Sequence, residues 1–257
     1  MAKNELIFNG NEKQVFSTDD STRVIFRYKD VTTAYHGVKR ARFAGKGALT
    51  NQISALLLGY LNENGVETHY IETIDEREQL CRMIEIIPLE VVFHNRIAGS
   101  LASKLGVEDG MKPANTILDL CYNNDELGDP LINRDQAVAL NLATYPELDL
   151  MYDIVRRSGK LLTDLLHQAG IELVDAKFEF GRAADTGAII ISDELSPDTC
   201  RMWDEETGER LDKDRFRLDL HLLRSPQPPA PRPGRRRHRH FRRAWGLPSL
   251  PGARPPE

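Results

Sequence analysis

The sequence has no apolar run of about 18 residues, the length a membrane-spanning helix needs. Its first residues, Met1-Ala2-Lys3-Asn4-Glu5, lack the apolar core of a secretory signal. Cysteine is scarce: Cys81, Cys121 and Cys200 lie far apart, form no CxxC pair and match no zinc spacing. These absences argue against a membrane partner, a disulfide framework and a structural zinc site, and they fit a reduced, cytoplasmic setting. Positive charge is also scarce over most of the chain. Leu222 to Glu257 holds nine arginines and one glutamate, a charge of +8, whereas the whole chain carries -5; the other 221 residues therefore carry -13. Such an acidic body argues against specific nucleic-acid binding, and any phosphate site in it has to be local and built from particular basic groups.

A chain of 257 residues holds one large domain or two small ones and can bury a core without cross-links. Leu6-Ile7-Phe8, Gly10 and Val15-Phe16-Ser17 read as a hairpin, with a third strand at Val24–Tyr28. Thr50 is placed to cap a helix with apolar residues at Ile53, Leu56, Leu57, Tyr60 and Leu61, ended by Gly65. Strand-like stretches follow at Thr68–Ile74 and Leu80–Asn95, then a short helix at Ala98–Leu105. Pro146 opens a long helix with Leu148, Met151, Val155, Leu162 and Leu166 on one side and Gly170 at its end. Ile171–Phe180 and Ala188–Asp193 read as strands joined by a hairpin-like turn. Strands come early and long helices late, which makes the fold class α+β. From Pro226 onward the chain is Pro, Arg, Gly and His with few aliphatic residues, a composition expected to stay disordered.

The chemically richest stretch is Val174-Asp175-Ala176-Lys177-Phe178-Glu179-Phe180-Gly181. Strand alternation puts Asp175, Lys177 and Glu179 on one face and Val174, Ala176, Phe178 and Phe180 on the other. A charged face can be merely solvated. If the hairpin turns near Thr186, however, Glu179 falls opposite Asp193, and two facing carboxylates repel unless a cation sits between them. Oxygen-only donors of this kind suit Mg²⁺. Asp193-Glu194-Leu195-Ser196-Pro197-Asp198, followed by Arg201 and Trp203, reads as the rim of a site.

Asp175-x-Lys177-x-Glu179-Phe180-Gly181 and Asp193-Glu194-x-Ser196-Pro197-Asp198-x-x-Arg201-x-Trp203 occur in this order. So do Pro88-Leu89-Glu90 with Ala98-Gly99-Ser100, then Gly128-Asp129-Pro130, then Asp212-Lys213-Asp214-Arg215-Phe216. In these blocks the chain resembles the SAICAR synthetases, from about Asn4 to Leu220. The resemblance implies a two-lobed α+β fold with an antiparallel N-terminal lobe over the nucleotide (1–87), a ribotide- and metal-binding lobe (88–220) and an unrelated tail (221–257). The ATP site would lie between the lobes. It implies an ATP-dependent ligase of de novo purine synthesis. Such an enzyme joins L-aspartate to a carboxylated aminoimidazole ribotide (CAIR) through an acyl phosphate, giving SAICAR, ADP and phosphate, and works as a homo-oligomer. By the same resemblance, Glu179 and Asp193 hold Mg²⁺. Lys13, Val15 and Glu90 adjoin ATP, and Ser100, Arg96 and Arg201 take the ribotide. Asp175, Lys177 and Asp129 are catalytic, the two aspartates meeting the ribotide ring or the metal region. Simpler readings stand beside two of these, Lys13 as a solvated hairpin lysine and Ser100 as a helix cap; Gly45-Lys46-Gly47 is a weak phosphate-loop signal that reads more simply as a plain turn.

The chain departs from the family at Asn11, His94 and Asn123, where the family carries a basic residue, and at His36, where it carries Asn or Asp. The lost positive charges leave a second reading: a diverged, weakly active or inactive nucleotide-binding paralogue. Arg96, two residues after His94, is expected to offer its guanidinium on the same strand face.

Overall fold

The computed structural model describes residues 2–34 and 38–219. The tail expected to be disordered, and His36, lie outside the described residues. Met1–Leu220 form one compact unit.

Strands β1 (Lys3–Asn9), β2 (Lys13–Thr18) and β3 (Arg23–Tyr28) form the expected antiparallel meander. After the small ribbon β4 (Val31–Ala34) and β5 (Lys39–Arg42) comes helix α1 (Lys46–Glu63). Strands β6 (Tyr70–Thr73) and β7 (Glu78–Arg82) complete a five-stranded sheet in the order β1-β2-β3-β7-β6. Val24, Phe26, Tyr28 and Cys81 form one buried cluster in it.

Helix α1 starts a turn earlier than expected, after Gly45 in the left-handed region (φ 82°), and Thr50 lies buried inside it. Apolar periodicity missed this turn because its buried face is small and polar: Gly47, Thr50, Asn51 and Ser54. These residues bond to neighbouring chain segments. Gly47 N–H donates to Asp30 (2.9 Å), Asn51 Nδ2 donates to the Asp75 carbonyl (2.9 Å), and Gln79 donates to the Asn51 carbonyl (2.8 Å). A Cβ on Gly47 would stand 2.6 Å from the Tyr28 carbonyl oxygen, so the helix can sit this close only with glycine there.

The second sheet is built on two long strands. β8 (Ile84–His94) is followed by α2 (Ser100–Leu105), β9 (Ile117–Tyr122), α3 (Arg134–Ala139) and α4 (Tyr145–Gln168); then come β10 (Ile171–Ala183), β11 (Ile189–Ser192), β12 (Cys200–Asp204) and α5 (Asp214–Arg217). The order is β11-β10-β8-β9, with β12 also pairing to β10. The expected lobe boundary between residues 87 and 88 falls inside β8, whose pairing with β10 continues on both sides of it. Helix α4 is capped by Thr144 and Glu147 in a reciprocal box and buries the expected row Leu148, Met151, Val155, Leu162 and Leu166. It packs on β8 where Gly159 leaves room for the Phe93 ring.

The face assignment of β10 holds: Val174, Ala176, Phe178 and Phe180 are fully buried. Its partner register differs by one residue from the expected one. Glu179 stands opposite Ser192, and Asp193 leaves the strand with φ 62°. The turn closes through Gly187 N–H to the Ala183 carbonyl (2.7 Å) and Ala183 N–H to the Ala188 carbonyl (2.9 Å), which fixes this pairing. The carboxylate that does face Glu179 is Glu90 on β8. Between Glu90 and Ile87 the register shifts, so Pro88 sits in a bulge where its missing N–H disrupts no ladder bond. Among the described residues, no helix is long and apolar enough to cross a membrane.

Candidate functional site

The buried face of β10 anchors the strand, and its charged face opens on a cavity of about 450 Å³. Of the eleven residues given a role from the sequence, seven line it: Glu90, Ser100, Asp129, Asp175, Lys177, Asp193 and Arg201. Lys13 and Glu179 sit behind this lining, each bonded to a residue in it. Two residues do not join them. Val15 packs on the Val24–Phe26–Tyr28–Cys81 cluster. Arg96 lies past the end of β8, where strand alternation no longer applies; it bonds Glu172 (2.7 Å) and the Gly110 carbonyl (2.9 Å) instead of entering the cavity.

On β10, Lys177 Nζ reaches Glu90 (2.6 Å) and Glu179 (2.8 Å) together. Burial works against the Lys177 ammonium, but the two carboxylates outweigh it and hold the group protonated far above the usual lysine range. Burial raises the Glu90 carboxyl despite Lys177. The lysine thus neutralises a cross-strand carboxylate pair that would otherwise repel.

A second group gathers where the β1–β2 turn meets the segments after β11 and before α5. Lys13 pairs with Asp193 and, at 2.6 Å, with Glu194; Lys213 pairs with Glu12 at 2.7 Å; Lys46 pairs with Asp198 and reaches Glu12 at 3.4 Å. Thr33 N–H also donates to Glu12 (2.9 Å). Burial would raise the Glu12 carboxyl, but Lys213 and Lys46 hold it down at about 2. Burial, then Glu12 beside it, push Asp198 up to about 6 against the pull of Lys46 and Lys213. Carboxylate oxygens of Glu12, Glu194 and Asp198 lie within 4.8 Å of one another. Glu12 was not visible as a site residue in the sequence, because a turn glutamate carries no pattern of its own. Asp119 on β9 and Lys104 on α2 were also missed, and both line the cavity.

The third group centres on Asp175. Arg201 Nη1 donates to its Oδ2 at 2.6 Å and Arg201 N–H to its Oδ1 at 3.2 Å, while Arg201 Nε donates to Asp214 at 2.8 Å. Gly99, at φ 57°, passes so close to the guanidinium that a Cβ there would collide with it. His94 is buried on β8 beside Asp175. Asn11 is exposed and borders an adjoining cavity that Ser100 and Arg201 share.

Backbone strain marks the site as well. Four non-glycine residues among those described have positive φ, and two of them, Asp129 (φ 48°) and Asp193 (φ 62°), line the cavity. Asp129 Oδ1 accepts from Asn124 N–H (2.9 Å), which holds the turn in place. Cys121 also lines the cavity, but burial, with Glu90 and Asp119, pushes its thiol up to about 11. It is therefore no ready nucleophile.

Comparisons with known proteins bear on the family and the fold. The SAICAR synthetase family model matches residues 6–228. The phosphoribosylaminoimidazole-succinocarboxamide synthase of Fusobacterium nucleatum is 49% identical over 220 residues, which cover 86% of this chain and 92% of that protein. The crystal structure of the Ehrlichia chaffeensis enzyme of the same name superposes with a TM-score of 0.83 at 34% identity, covering 95% of this chain and all of that one. A type-2 SAICAR synthetase in complex with ADP gives a TM-score of 0.82 at 36% identity, covering 96% of this chain and 100% of that one. The motifs, the fold and these matches agree over most of the chain, which belongs to the SAICAR synthetase family.

Proposed function

We propose that this chain joins L-aspartate to the carboxylate of CAIR at the expense of ATP, in the purine pathway, giving SAICAR, ADP and phosphate. The observation that carries the reading is the single cavity into which Glu90, Ser100, Asp129, Asp175, Lys177, Asp193 and Arg201 converge. A carboxylate resists attack by an amine because it is anionic and has no leaving group. Phosphorylation by ATP supplies one: the ribotide carboxylate oxygen attacks the γ-phosphorus, ADP departs, and an acyl phosphate remains. The aspartate amine then attacks the acyl carbon, the amine gives up a proton, and inorganic phosphate leaves.

The protein's task is to bring anions together and neutralise them. Lys13 and Glu90 are assigned to the nucleotide side, and Ser100 and Arg201 to the ribotide phosphate. Asp175 and Asp129 orient the ribotide, and Lys177 faces the transferred group. An oxygen-only donor set lies along this wall, which fits Mg²⁺. Asp193 and Glu179 would hold the ion with the nucleotide phosphates, and it would supply charge neutralisation of the phosphoryl oxygens. The ammonium groups now on these carboxylates occupy part of that role. A cytoplasmic homo-oligomer that binds only small molecules is part of the same proposal; its three thiols are free.

One observation favours the alternative of a weakly active paralogue. Asn11 and His94 stand where the family places fixed cations, and His94 is flanked by carboxylates. A coupled assay for ADP separates the two readings. ADP formation that needs both the ribotide and L-aspartate supports the ligase. ADP formation indifferent to L-aspartate, or none, supports the paralogue.

A further inference from the structure

Five fixed cations line the cavity: Lys104, Lys177, Arg201, Lys213 and Arg217. Four of them are engaged by carboxylates. Lys177 holds Glu90 and Glu179, Arg201 holds Asp175 and Asp214, Lys213 holds Glu12, and Arg217 holds Asp214. Eight carboxylate residues stand in the same lining, so the wall is anionic and an entering anion needs a cation that no carboxylate has claimed. Lys104 is that cation: among the described residues its ammonium has no ion pair and no hydrogen bond. It lies on α2 one turn after Ser100. Residues four apart share a helix face, and helical side chains lean toward the N-terminus, which directs the Lys104 stem over the turn that carries Ser100. The other face of α2 is anchored, since Leu101 and Ala102 pack with Ile97 against Val107 and Ile117. The Lys104 charge is felt across the cavity at Cys121 on β9, where it opposes the push of burial, Glu90 and Asp119 on the thiol.

We propose that Lys104 is a further binding residue of this site, whose ammonium folds over a phosphomonoester held by Ser100 and Arg201 and supplies the positive charge that the paired arginine lacks. Arg201 offers the shape of a fork, but the two carboxylates on it already offset its charge. A phosphomonoester carries about two negative charges at pH 8. Ser100 is neutral and Arg201 is neutralised, so those charges go unmet without another cation. Lys104 is the least costly one to recruit. It gives up no bond within the protein, whereas Lys177 or Lys213 would leave a carboxylate behind without its partner. An exposed ammonium on a four-carbon stem also reaches a ligand without backbone movement. That the phosphomonoester is the ribotide's own rests on the ligase reading; the role of Lys104 toward a phosphomonoester does not.

The test is calorimetric binding of ribose 5-phosphate to the full chain at pH 8, for wild type, Lys104→Met, Lys104→Arg and Lys160→Met. No turnover is needed, so the result stands apart from any failure of the ligase assay. Lys160 is exposed on α4 and lines neither cavity, so its variant reports the effect of removing one positive charge elsewhere. Lys104→Met is expected to weaken binding about fivefold or more. Lys104→Arg, which keeps the charge, should bind more tightly than Lys104→Met, and Lys160→Met should stay within about twofold of wild type. ADP is titrated in parallel, and its affinity should be unchanged in Lys104→Met, because its phosphates are assigned to the Lys13 side. Any of four results would overturn the proposal: ribose 5-phosphate failing to bind wild type, Lys104→Met binding it as wild type does, either other variant losing as much as Lys104→Met, or an equal loss for ADP.

Discussion

A lysine cluster and an arginine fork flank the cavity, and they are held in different ways. Lys13, Lys46 and Lys213 share Glu12, Asp193, Glu194 and Asp198, each ammonium on a long flexible stem. Arg201 is fixed by its fork between Asp175 and Asp214, with Gly99 against it and His94 on the far side of Asp175. A lysine is a point charge that can change partners at small geometric cost, whereas an arginine fork binds in one plane. The first arrangement suits a polyphosphate whose charge moves during reaction. The second suits a phosphate or carboxylate that must stay in one place while chemistry happens elsewhere.

The largest expected break in this comparison comes from the carboxylates beside the lysines. Asp193→Asn keeps a residue that tolerates positive φ and removes only the charge. We expect turnover to fall by roughly a hundredfold or more, with the fold intact, and Glu179→Ala to behave alike. Initial rates at ordinary Mg²⁺ test this, with circular dichroism as the fold control. Near-normal rates in either variant would remove that residue from the metal assignment.

Next in size is an effect on stability. Glu12 titrates near 2 in the folded chain against an ordinary value of 4.5. Its pairing therefore stabilises the fold above pH 4.5 and is lost as pH falls from there toward 2. Glu12→Gln should cost on the order of 2 kcal/mol at pH 7. The difference in melting temperature between wild type and variant should shrink steadily below pH 4.5. A constant difference down to pH 2.5 would mean that Glu12 acts through shape rather than charge.

The same contrast shows why some of the molecule was legible in its sequence. Helix α4 was readable to within a residue because its cap, its proline and its apolar row all obey local rules. The face of β10 was readable because alternation is a local rule too. The start of α1 was not, since Gly47, Thr50, Asn51 and Ser54 are buried by bonds to residues up to 28 positions away. The register of Glu179 slipped by one because a turn's length, rather than its composition, decides pairing. The motifs pointed to seven residues that line one cavity. Glu12 stayed hidden because its value comes from Lys46 and Lys213, distant in sequence and adjacent only in the fold.

Asn11→Lys tests the exposed side of the lysine group. Asn11 borders the adjoining cavity, one residue from Glu12. A lysine there restores a mobile cation at the β1–β2 turn without disturbing a buried bond. We expect the KM for ATP to fall roughly threefold, with little change in kcat, because a partly solvated ion pair contributes about 1 kcal/mol or less. No change would favour the paralogue reading, in which that turn serves another ligand.

The smallest effect is expected at Arg96, and it sharpens the contrast with Arg201. Both are arginines near β8 and β10, and both are paired with a carboxylate. Arg201 lines the cavity with its side chain 19% exposed, whereas Arg96 is 30% exposed, bonded to Glu172 and Gly110, and outside the cavity lining. A half-exposed pair of that kind contributes little to stability and has no route to the ribotide. Arg96→Ala should leave the KM for the ribotide within about twofold of wild type. Arg201→Lys, which keeps the charge but loses the fork, should raise it by roughly tenfold or more. Steady-state rates against ribotide concentration measure both. A rise at Arg96 equal to that at Arg201 would show that the ligand reaches past the end of β8, and the assignment of the phosphate grip to Arg201 would then have to be shared.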